Sequence, residues 1–230
     1  MKKAIGALTA LTCSAALCAS AAAAPITVNV RIEGANKTIF NGNVRTTGHS
    51  ITRDSTGPHP CDGTNNGANK TPGPTVTGAL DDASKVGHFS WTASWSSSFN
   101  DFFVNGIGPN TGSGASSYWI EALNFRDTTA GGCQVKLHPG DQVLLYFVNG
   151  TAPKYALRLT GPKKARAHHK FKLRVVDGRT GKPVKGVKVA GHRSNARGFV
   201  TLSLGKGTKH LRATFPSAVR SNVVVVRVGP

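Results

Sequence analysis

The fold is first recognisable at residues 27–33, TVNVRIE, where apolar and polar side chains alternate. The two valines and the isoleucine of this stretch fall on one side of an extended chain, because successive side chains of a β-strand point to opposite faces. The pattern predicts a strand with one buried face and one wet face. Residues 34–36 can turn the chain into a second strand within residues 38–47, so we expect a hairpin.

Further along the chain the apolar spacing becomes helical. Apolar residues recur at this spacing from Val76 to Val86, with Pro74 near the first turn and Gly87 placed to end the helix. Four later stretches have the pattern of strands: 89–95, 101–104, 118–123 and 142–148. This order of elements predicts an α+β domain with one helix packed on a mixed sheet.

Charge divides the chain into two unequal parts. The 230 residues include 29 Lys and Arg against 10 Asp and Glu, a net charge of +19, which excludes an acidic disordered protein and is unlike an ordinary cytosolic enzyme. Residues 25–158 are nearly balanced, whereas residues 159–230 carry 17 basic residues and one acidic residue. We therefore predict a first domain at 24–158, a basic linker at 159–169 and a second domain at 170–230.

The first 23 residues predict a secretory signal peptide, because a positively charged start is followed by an apolar stretch and then by small residues. We expect cleavage after Ala23, with Ala21 as the alternative. The apolar stretch is too short and too rich in alanine for a stable membrane span. Leu17 directly precedes Cys18, which disfavours a lipid-anchored cysteine. The expected location is extracellular, or loosely bound to the cell surface.

Two cysteines, Cys61 and Cys133, remain once the signal peptide is removed. In an oxidising compartment they have only each other as partners, so we predict a structural disulfide. The bridge would close a loop of 72 residues and contribute on the order of 4 kcal/mol in the chain-entropy model. A redox-active pair is disfavoured, because the close Cys-x-x-Cys spacing is absent.

Three motifs connect the first domain with a known family. Residues 28–34 (VNVRIEG), 118–121 (YWIE) and 137–144 (LHPGDQVL) together resemble the DUF4430 family, which is similar to the C-terminal domain of transcobalamin and intrinsic factor. The resemblance spans about residues 26–150 and implies a β-grasp-like fold related to domains that bind soluble ligands. Transcobalamin-like proteins also use a large helical domain to hold the corrinoid, and this sequence has no such region, so we do not expect a cobalamin carrier.

The second domain has short apolar stretches interrupted by glycine-containing turns. Residues 176–189, 195–202 and 207–213 resemble the carboxypeptidase-regulatory-like domain, over about residues 170–228. This resemblance implies a small all-β sandwich of transthyretin-like or Ig-like type, a domain that mostly serves as a spacer or binding module.

The cations of the second domain fall on the outward phase of its predicted strands. Solubility and protection of edge strands by lysine are the simplest explanation. However, Asp177 is the only acid of this domain, so the repulsion among its cations needs an external anion. We predict a polyanion-binding set of seven residues: Lys170, Lys172, Arg174, Lys185, Lys188, Arg212 and Arg227. Without interleaved aromatic platforms, sequence-specific recognition of nucleic acid is not expected.

A ligand face in the first domain is the second candidate site. Its predicted residues are Trp91, Trp95, Tyr118 and Trp119, although core packing is the favoured explanation for large aromatic side chains. The sequence lacks the motifs of zinc proteases, α/β-hydrolases, phosphate-binding loops and Cys/His metal sites, so we expect no enzyme, metal or cofactor. The predicted function is that of a secreted bacterial binding or adhesion protein, retained on anionic envelope polymers. The alternative is capture of a small molecule, such as a corrinoid-like ligand, or of a glycan by the first domain.

Overall fold

The computed structural model describes residues 24–112 and 114–230. The predicted signal peptide, residues 1–23, lies outside the described residues. In the described part, the chain is mainly β, with six sheets, one α-helix and a short 3-10 helix at Asn65–Gly67. No helix found there is long and apolar enough to span a membrane.

The N-terminal module, as we name residues 24–154, contains the α-helix and the first ten strands. Its elements are β1 (Ile26–Glu33), β2 (Thr38–Thr46), β3 (His49–Ile51), β4 (His59–Cys61), α1 (Val76–Gly87), β5 (Trp91–Ser96), β6 (Asp101–Ile107), β7 (Asn110–Thr111), β8 (Ser117–Leu123), β9 (Arg126–Asp127) and β10 (Gln142–Asn149).

The main sheet of this module has the order β2-β1-β10-β8-β9. Strands β1 and β10 are parallel, whereas the other pairs are antiparallel, so the sheet is mixed as predicted. Strands β1 and β2 form the expected hairpin. Strands β5, β6 and β7 form a separate antiparallel sheet, and β3 pairs with β4.

Helix α1 packs its apolar side onto the main sheet and has a polar cap at each end. The Thr75 hydroxyl accepts a hydrogen bond from the Gly78 amide at 3.1 Å, which is the usual role of threonine before the first turn. Buried Ala79, Leu80 and Ala83 join the core. The helix ends at Gly87 as predicted, but His88 is the residue that adopts the left-handed conformation, with φ of 51°.

Strand β10 is buried on both faces, which explains its nearly continuous apolar sequence, VLLYFV. Val143 and Leu145 point into the core beneath the helix. Leu144, Tyr146 and Val148 point the other way, into a second cluster that includes Ala156 and Val219 of the C-terminal part. The two parts of the chain are therefore joined through an apolar contact on the outer face of the main sheet.

The C-terminal module, as we name residues 155–230, is a small β structure with three sheets. Its strands are β11 (Tyr155–Thr160), β12 (Lys164–Arg166), β13 (Lys170–Asp177), β14 (Lys188–Val189), β15 (His192–Arg193), β16 (Phe199–Ser203), β17 (Gly207–Leu211), β18 (Ala213–Thr214), β19 (Ala218–Val219) and β20 (Val224–Gly229). The sheet orders are β16-β13-β11-β19, β12-β20-β17 and β15-β14-β18. Valine and leucine side chains from all three sheets form one core.

Strand pairing differs from the predicted domain limits. Strand β11 pairs with β13 and β19, although the sequence analysis places the chain up to residue 158 in the first domain. The predicted linker, 159–169, holds the end of β11 and all of β12, which pairs with β20. The change in charge shows where the basic surface begins, but it does not show where the second core begins. Leu157 and Leu159 already lie in that core.

Candidate functional site

Asp177, the single acid of residues 159–230, accepts hydrogen bonds that are mostly from backbone amides. Asp177 is buried, and its carboxylate accepts hydrogen bonds from the Ala156 amide at 3.2 Å, the Arg179 amide at 3.3 Å and the Thr180 hydroxyl at 3.0 Å. These bonds fix the turn after β13. Asp177 therefore does not neutralise a surface cation.

Three of the 17 cations in residues 159–230 form ion pairs, all with the N-terminal module. Arg212 and Arg220 bind Glu33, at 3.1 and 2.8 Å, and Arg179 lies 3.3 Å from Asp127. The other 14 have no ion-pair partner in the described parts of the chain. The positive charge of this segment therefore remains available to an external anion.

The first outer basic surface lies on strand β13. Lys170, Lys172 and Arg174 alternate with inward-pointing residues and are exposed, as predicted. Their neighbours on β16 are uncharged, because Lys170 lies opposite Ser203 and Lys172 opposite Thr201. The Arg174 guanidinium stands 5.8 Å from the centre of the Phe199 ring, a cation–π distance.

The second outer basic surface lies on the sheet formed by β12, β20 and β17. Arg227 is exposed and has Lys164 beside it on one strand and Thr208 beside it on the other. Arg166 and Lys206 complete the wall of a shallow cleft. Of these cations, only Arg227 belongs to the predicted set. Lys164 and Arg166 lie in the predicted linker, and Lys206 lies in a predicted turn of the second domain.

The remaining predicted cations occupy different surroundings. Lys185 and Lys188 are exposed, and Lys188 lies on strand β14 of the third sheet. Arg212 is not part of an open surface, because it binds Glu33 and the Thr38 hydroxyl at the contact between the modules. Sequence alone gave no sign of this role, since Glu33 lies 179 residues away.

Glu33 is the centre of a buried cluster of three arginines. Its carboxylate also receives hydrogen bonds from the Thr38 hydroxyl at 2.9 Å and from Arg31 at 3.4 Å. Burial lowers the pKa of Arg31 to about 10, and the neighbouring Arg212 and Arg220 act in the same direction against the attraction of Glu33. One carboxylate therefore holds three guanidinium groups, two of them from the other module.

The four predicted aromatic residues do not form one ligand face. Trp91 and Trp119 are buried in the core of the N-terminal module. Trp95 stacks on His59, with ring centres 4.0 Å apart. Tyr118 is 37% exposed but precedes Trp119 in strand β8, and adjacent residues of a strand point to opposite faces.

A cleft in the N-terminal module is lined by a different set of rings. Phe99 and Phe103 are 59% and 55% exposed, and they meet edge to face at 5.7 Å beside Trp119. The two phenylalanines are not part of the predicted ligand face, although two large apolar residues four apart around a turn are a usable signal of an exposed pair. This cleft, with its exposed aromatic rings, is a candidate ligand site in the module.

Asp101 and Glu121, the two carboxylates at this cleft, accept hydrogen bonds from other residues of the module. Asp101 accepts from the Cys133 amide at 3.1 Å, and Glu121 accepts from the Thr77 hydroxyl at 2.9 Å and from the Gly132 amide. Burial raises the pKa of Asp101, and burial together with the nearby Asp101 charge raises the pKa of Glu121 to about 7. Together the two acids fix the loop that carries Cys133.

The predicted disulfide is present. Cys61 and Cys133 are bonded, with their Cα atoms 4.5 Å apart, and both are fully buried. The bridge ties strand β4 to the loop before β10. It belongs to the N-terminal module, and both cysteines of the described chain are used in it.

The cluster around Asp81 contains the residue types of a metal site. Donor atoms of His49, Asp81 and Asp82 lie within 4.8 Å of one another. However, Lys85 lies 2.8 Å from Asp81, and Arg53 binds the same carboxylate. Burial opposes ionisation of Asp81, but hydrogen bonds from His49, Lys85 and Arg53 outweigh it and lower its pKa. Side-chain cations already supply the countercharge, so the geometry is that of an ion-pair network.

No protein-family model matches the chain, and the search of curated proteins also found no match.

Proposed function

We propose that the chain is a secreted, non-enzymatic bacterial protein of the cell envelope, which binds or adheres there because its C-terminal module is retained on an anionic surface polymer. The N-terminal module would be a DUF4430-like, β-grasp-like domain, and the C-terminal module a transthyretin-like or Ig-like sandwich. The location would be extracellular, with loose attachment to the surface. The observation that carries the proposal is the set of 14 cations in residues 159–230 without an ion-pair partner in the described chain.

The arrangement of these cations is better explained by binding to an external anion than by stabilisation of the fold. Lys170, Lys172 and Arg174 are exposed on one strand, and none of them contacts a carboxylate in the described structure. Unpaired charges of one sign repel each other and weaken the folded state, unless counterions or a polyanion neutralise them. A polymer with many anionic groups would release small counterions when it binds. Retention by this mechanism weakens as salt rises.

The experiment compares two full-length proteins in producing cells. One is the wild type, and the other replaces the exposed cations of the predicted set by glutamine: Lys170, Lys172, Arg174, Lys185, Lys188 and Arg227. We expect the wild type in the high-salt wash of the cells and the variant in the medium. A full chain is required, because deletion of residues 162–230 would leave strand β11 without β13 and β19 and expose Leu157 and Leu159.

A matched control replaces uncharged exposed residues beside strand β13, Thr201 and Ser203, by glutamine. This control changes side-chain size without changing charge and should behave as the wild type. If the wild type is already in the medium at low salt, electrostatic retention is wrong. If the six-residue variant stays on the cells, these six cations are not the ones that retain the protein.

A second candidate function is capture of a small molecule or glycan by the N-terminal module. The specific observation is the cleft beside Phe99, Phe103 and Trp119. Exposed rings of this kind provide apolar contact area for a sugar ring or a corrinoid-like ligand. We expect soluble chitin oligomers or cobalamin to quench tryptophan fluorescence in the wild type but not in a Phe99→Ser, Phe103→Ser variant. Equal quenching, or none in either protein, would rule out this cleft as the site.

A further inference from the structure

The cleft on the β12-β20-β17 sheet differs from the basic surface on β13 in how its cations are placed. Lys164 and Arg227 lie directly opposite each other on the neighbouring strands β12 and β20. Neighbouring strands are about 4.8 Å apart, so the two side chains start close together. Arg166 follows two residues after Lys164 on the same face of the strand, roughly 7 Å along.

Adjacent cations of this kind are unfavourable without a counterion. Like charges directly opposite each other on two strands destabilise a sheet. On β13, by contrast, the cross-strand neighbours of Lys170 and Lys172 are Ser203 and Thr201. The pairing of Lys188 with Arg193 also joins two cations, but there Arg193 donates to the Gly186 carbonyl at 2.9 Å. The cleft therefore concentrates positive charge that no described group of the chain neutralises.

The lining of the cleft suits an oxyanion with several acceptor oxygens. Arginine presents planar pairs of N–H donors that match phosphate, and lysine supplies a compact charge. Thr208 adds a hydroxyl beside Arg227. Gly207 and Gly229 lie in the same wall and leave the backbone uncovered by side chains.

The basic surface also continues beyond the cleft. A second shallow depression, which includes Lys163, shares Lys164 and Arg227 with the first. The two depressions are lined by five cations and by neither an acid nor an aromatic residue. A track of this form fits successive anionic groups of a linear chain. Because it has no ring on which a base could stack, it favours a polymer without bases over nucleic acid.

We propose that the cleft of Lys164, Arg166, Lys206 and Arg227 is the specific binding site for consecutive phosphate groups of a base-free phosphodiester polymer. The inference rests on the proposed retention function, for which it names the site and the ligand class. It also moves the centre of binding from the predicted residues on β13 to a cleft that combines Arg227 of the predicted set with Lys206 and with two residues of the predicted linker, Lys164 and Arg166.

The test measures binding of a poly(glycerol phosphate) chain to full-length proteins at fixed moderate salt. A cleft variant carries Lys164→Gln, Lys206→Gln and Arg227→Gln. A matched variant carries Lys170→Gln, Lys172→Gln and Arg174→Gln, so both lose three positive charges. We expect a loss of affinity of about tenfold or more in the cleft variant and of about threefold or less in the matched variant. Unchanged thermal midpoints in both variants show that they are folded.

Equal losses in the two variants would overturn the cleft as a site while leaving diffuse electrostatic retention intact. Absence of binding by the wild type at low salt would overturn the retention function itself, so the two failures are distinguishable. A thymidine oligonucleotide with the same number of phosphates should bind no more tightly than the glycerol polymer. Clearly tighter binding of the oligonucleotide would overturn the assignment to a base-free polymer.

Discussion

The two modules use their charged residues in opposite ways. In the N-terminal module, Asp81 is bound by Lys85 and Arg53, and Glu33 is buried among arginines. In the C-terminal module, the one acid holds a turn, and most cations have no partner among the described residues. Charge in the first module therefore stabilises structure, whereas charge in the second faces outward. This difference supports the assignment of retention to the C-terminal module.

The largest expected effect comes from removing the disulfide, which stabilises only the N-terminal module. A Cys61→Ala, Cys133→Ala variant should lose roughly 4 kcal/mol of unfolding free energy, because the unfolded chain regains the freedom of the 72-residue loop. All three tryptophans, at 91, 95 and 119, lie in this module, so tryptophan fluorescence during denaturant unfolding reports on it directly. Equal denaturation midpoints for the variant and the oxidised wild type would contradict the prediction.

The next effect tests the charge cluster between the modules. Glu33→Gln should reduce stability by about 3 kcal/mol, because Arg31, Arg212 and Arg220 would be left facing each other without an anion. Adding Arg212→Gln to this variant should restore part of the loss by removing one of the repelling cations. Thermal unfolding of the single and double variants measures both. A double variant that is no more stable than Glu33→Gln alone would show that repulsion is not the cause.

A smaller effect concerns pH and Glu121. Burial of its carboxylate beneath Gly132 raises its pKa to about 7, above the value in the unfolded chain. The folded state therefore binds this proton more tightly, so the contribution of Glu121 to stability is full at acidic pH and is lost as pH rises through about 7. The groups facing it are the Thr77 hydroxyl, the Gly132 amide and the carboxylate of Asp101, whose own pKa is raised by burial.

Glu121→Gln removes this titration while keeping the shape of the side chain. We expect the variant to be more stable than the wild type at pH 8, by up to about 3 kcal/mol, and about equally stable at pH 4. Urea unfolding at the two pH values measures the difference. A constant difference between variant and wild type across this range would argue against titration of Glu121.

The smallest effect on stability is expected in the C-terminal module. Lys172→Gln changes an exposed side chain without an ion-pair partner in the described structure, so the free energy of unfolding should change by less than about 0.5 kcal/mol. The same change should slightly weaken retention on an anionic polymer. A stability loss as large as that of Glu33→Gln would mean that Lys172 has a structural role and would weaken the contrast between the modules.

Local periodicity predicts a large part of this fold. The alternation in residues 27–33 gives β1, and the helical spacing from Val76 gives α1 almost to the residue. The disulfide is predicted from Cys61 and Cys133, the two cysteines outside the predicted signal peptide. The predicted α+β class is correct in having one helix on a mixed sheet, while the described chain as a whole is mainly β.

The sequence pattern does not predict contacts between residues that are far apart in the chain. Arg212 has the same alternating pattern as the exposed cations and is predicted to face solvent. In the structure it forms an ion pair with Glu33 of the other module. Net charge predicts a linker at residues 159–169, but this stretch contains strand β12, which pairs with β20. That pairing depends on a contact between distant parts of the chain. One error was avoidable, since Tyr118 and Trp119 are adjacent in a predicted strand and could not share a face.

The most direct test of the central claim is the salt dependence of binding. The affinity of the full-length wild-type protein for poly(glycerol phosphate) would be measured by titration at increasing salt concentrations. If the free cations of the C-terminal module bind the polymer, the logarithm of affinity should fall linearly with the logarithm of salt concentration, with a slope set by several released ions. An affinity that does not change with salt would contradict electrostatic retention.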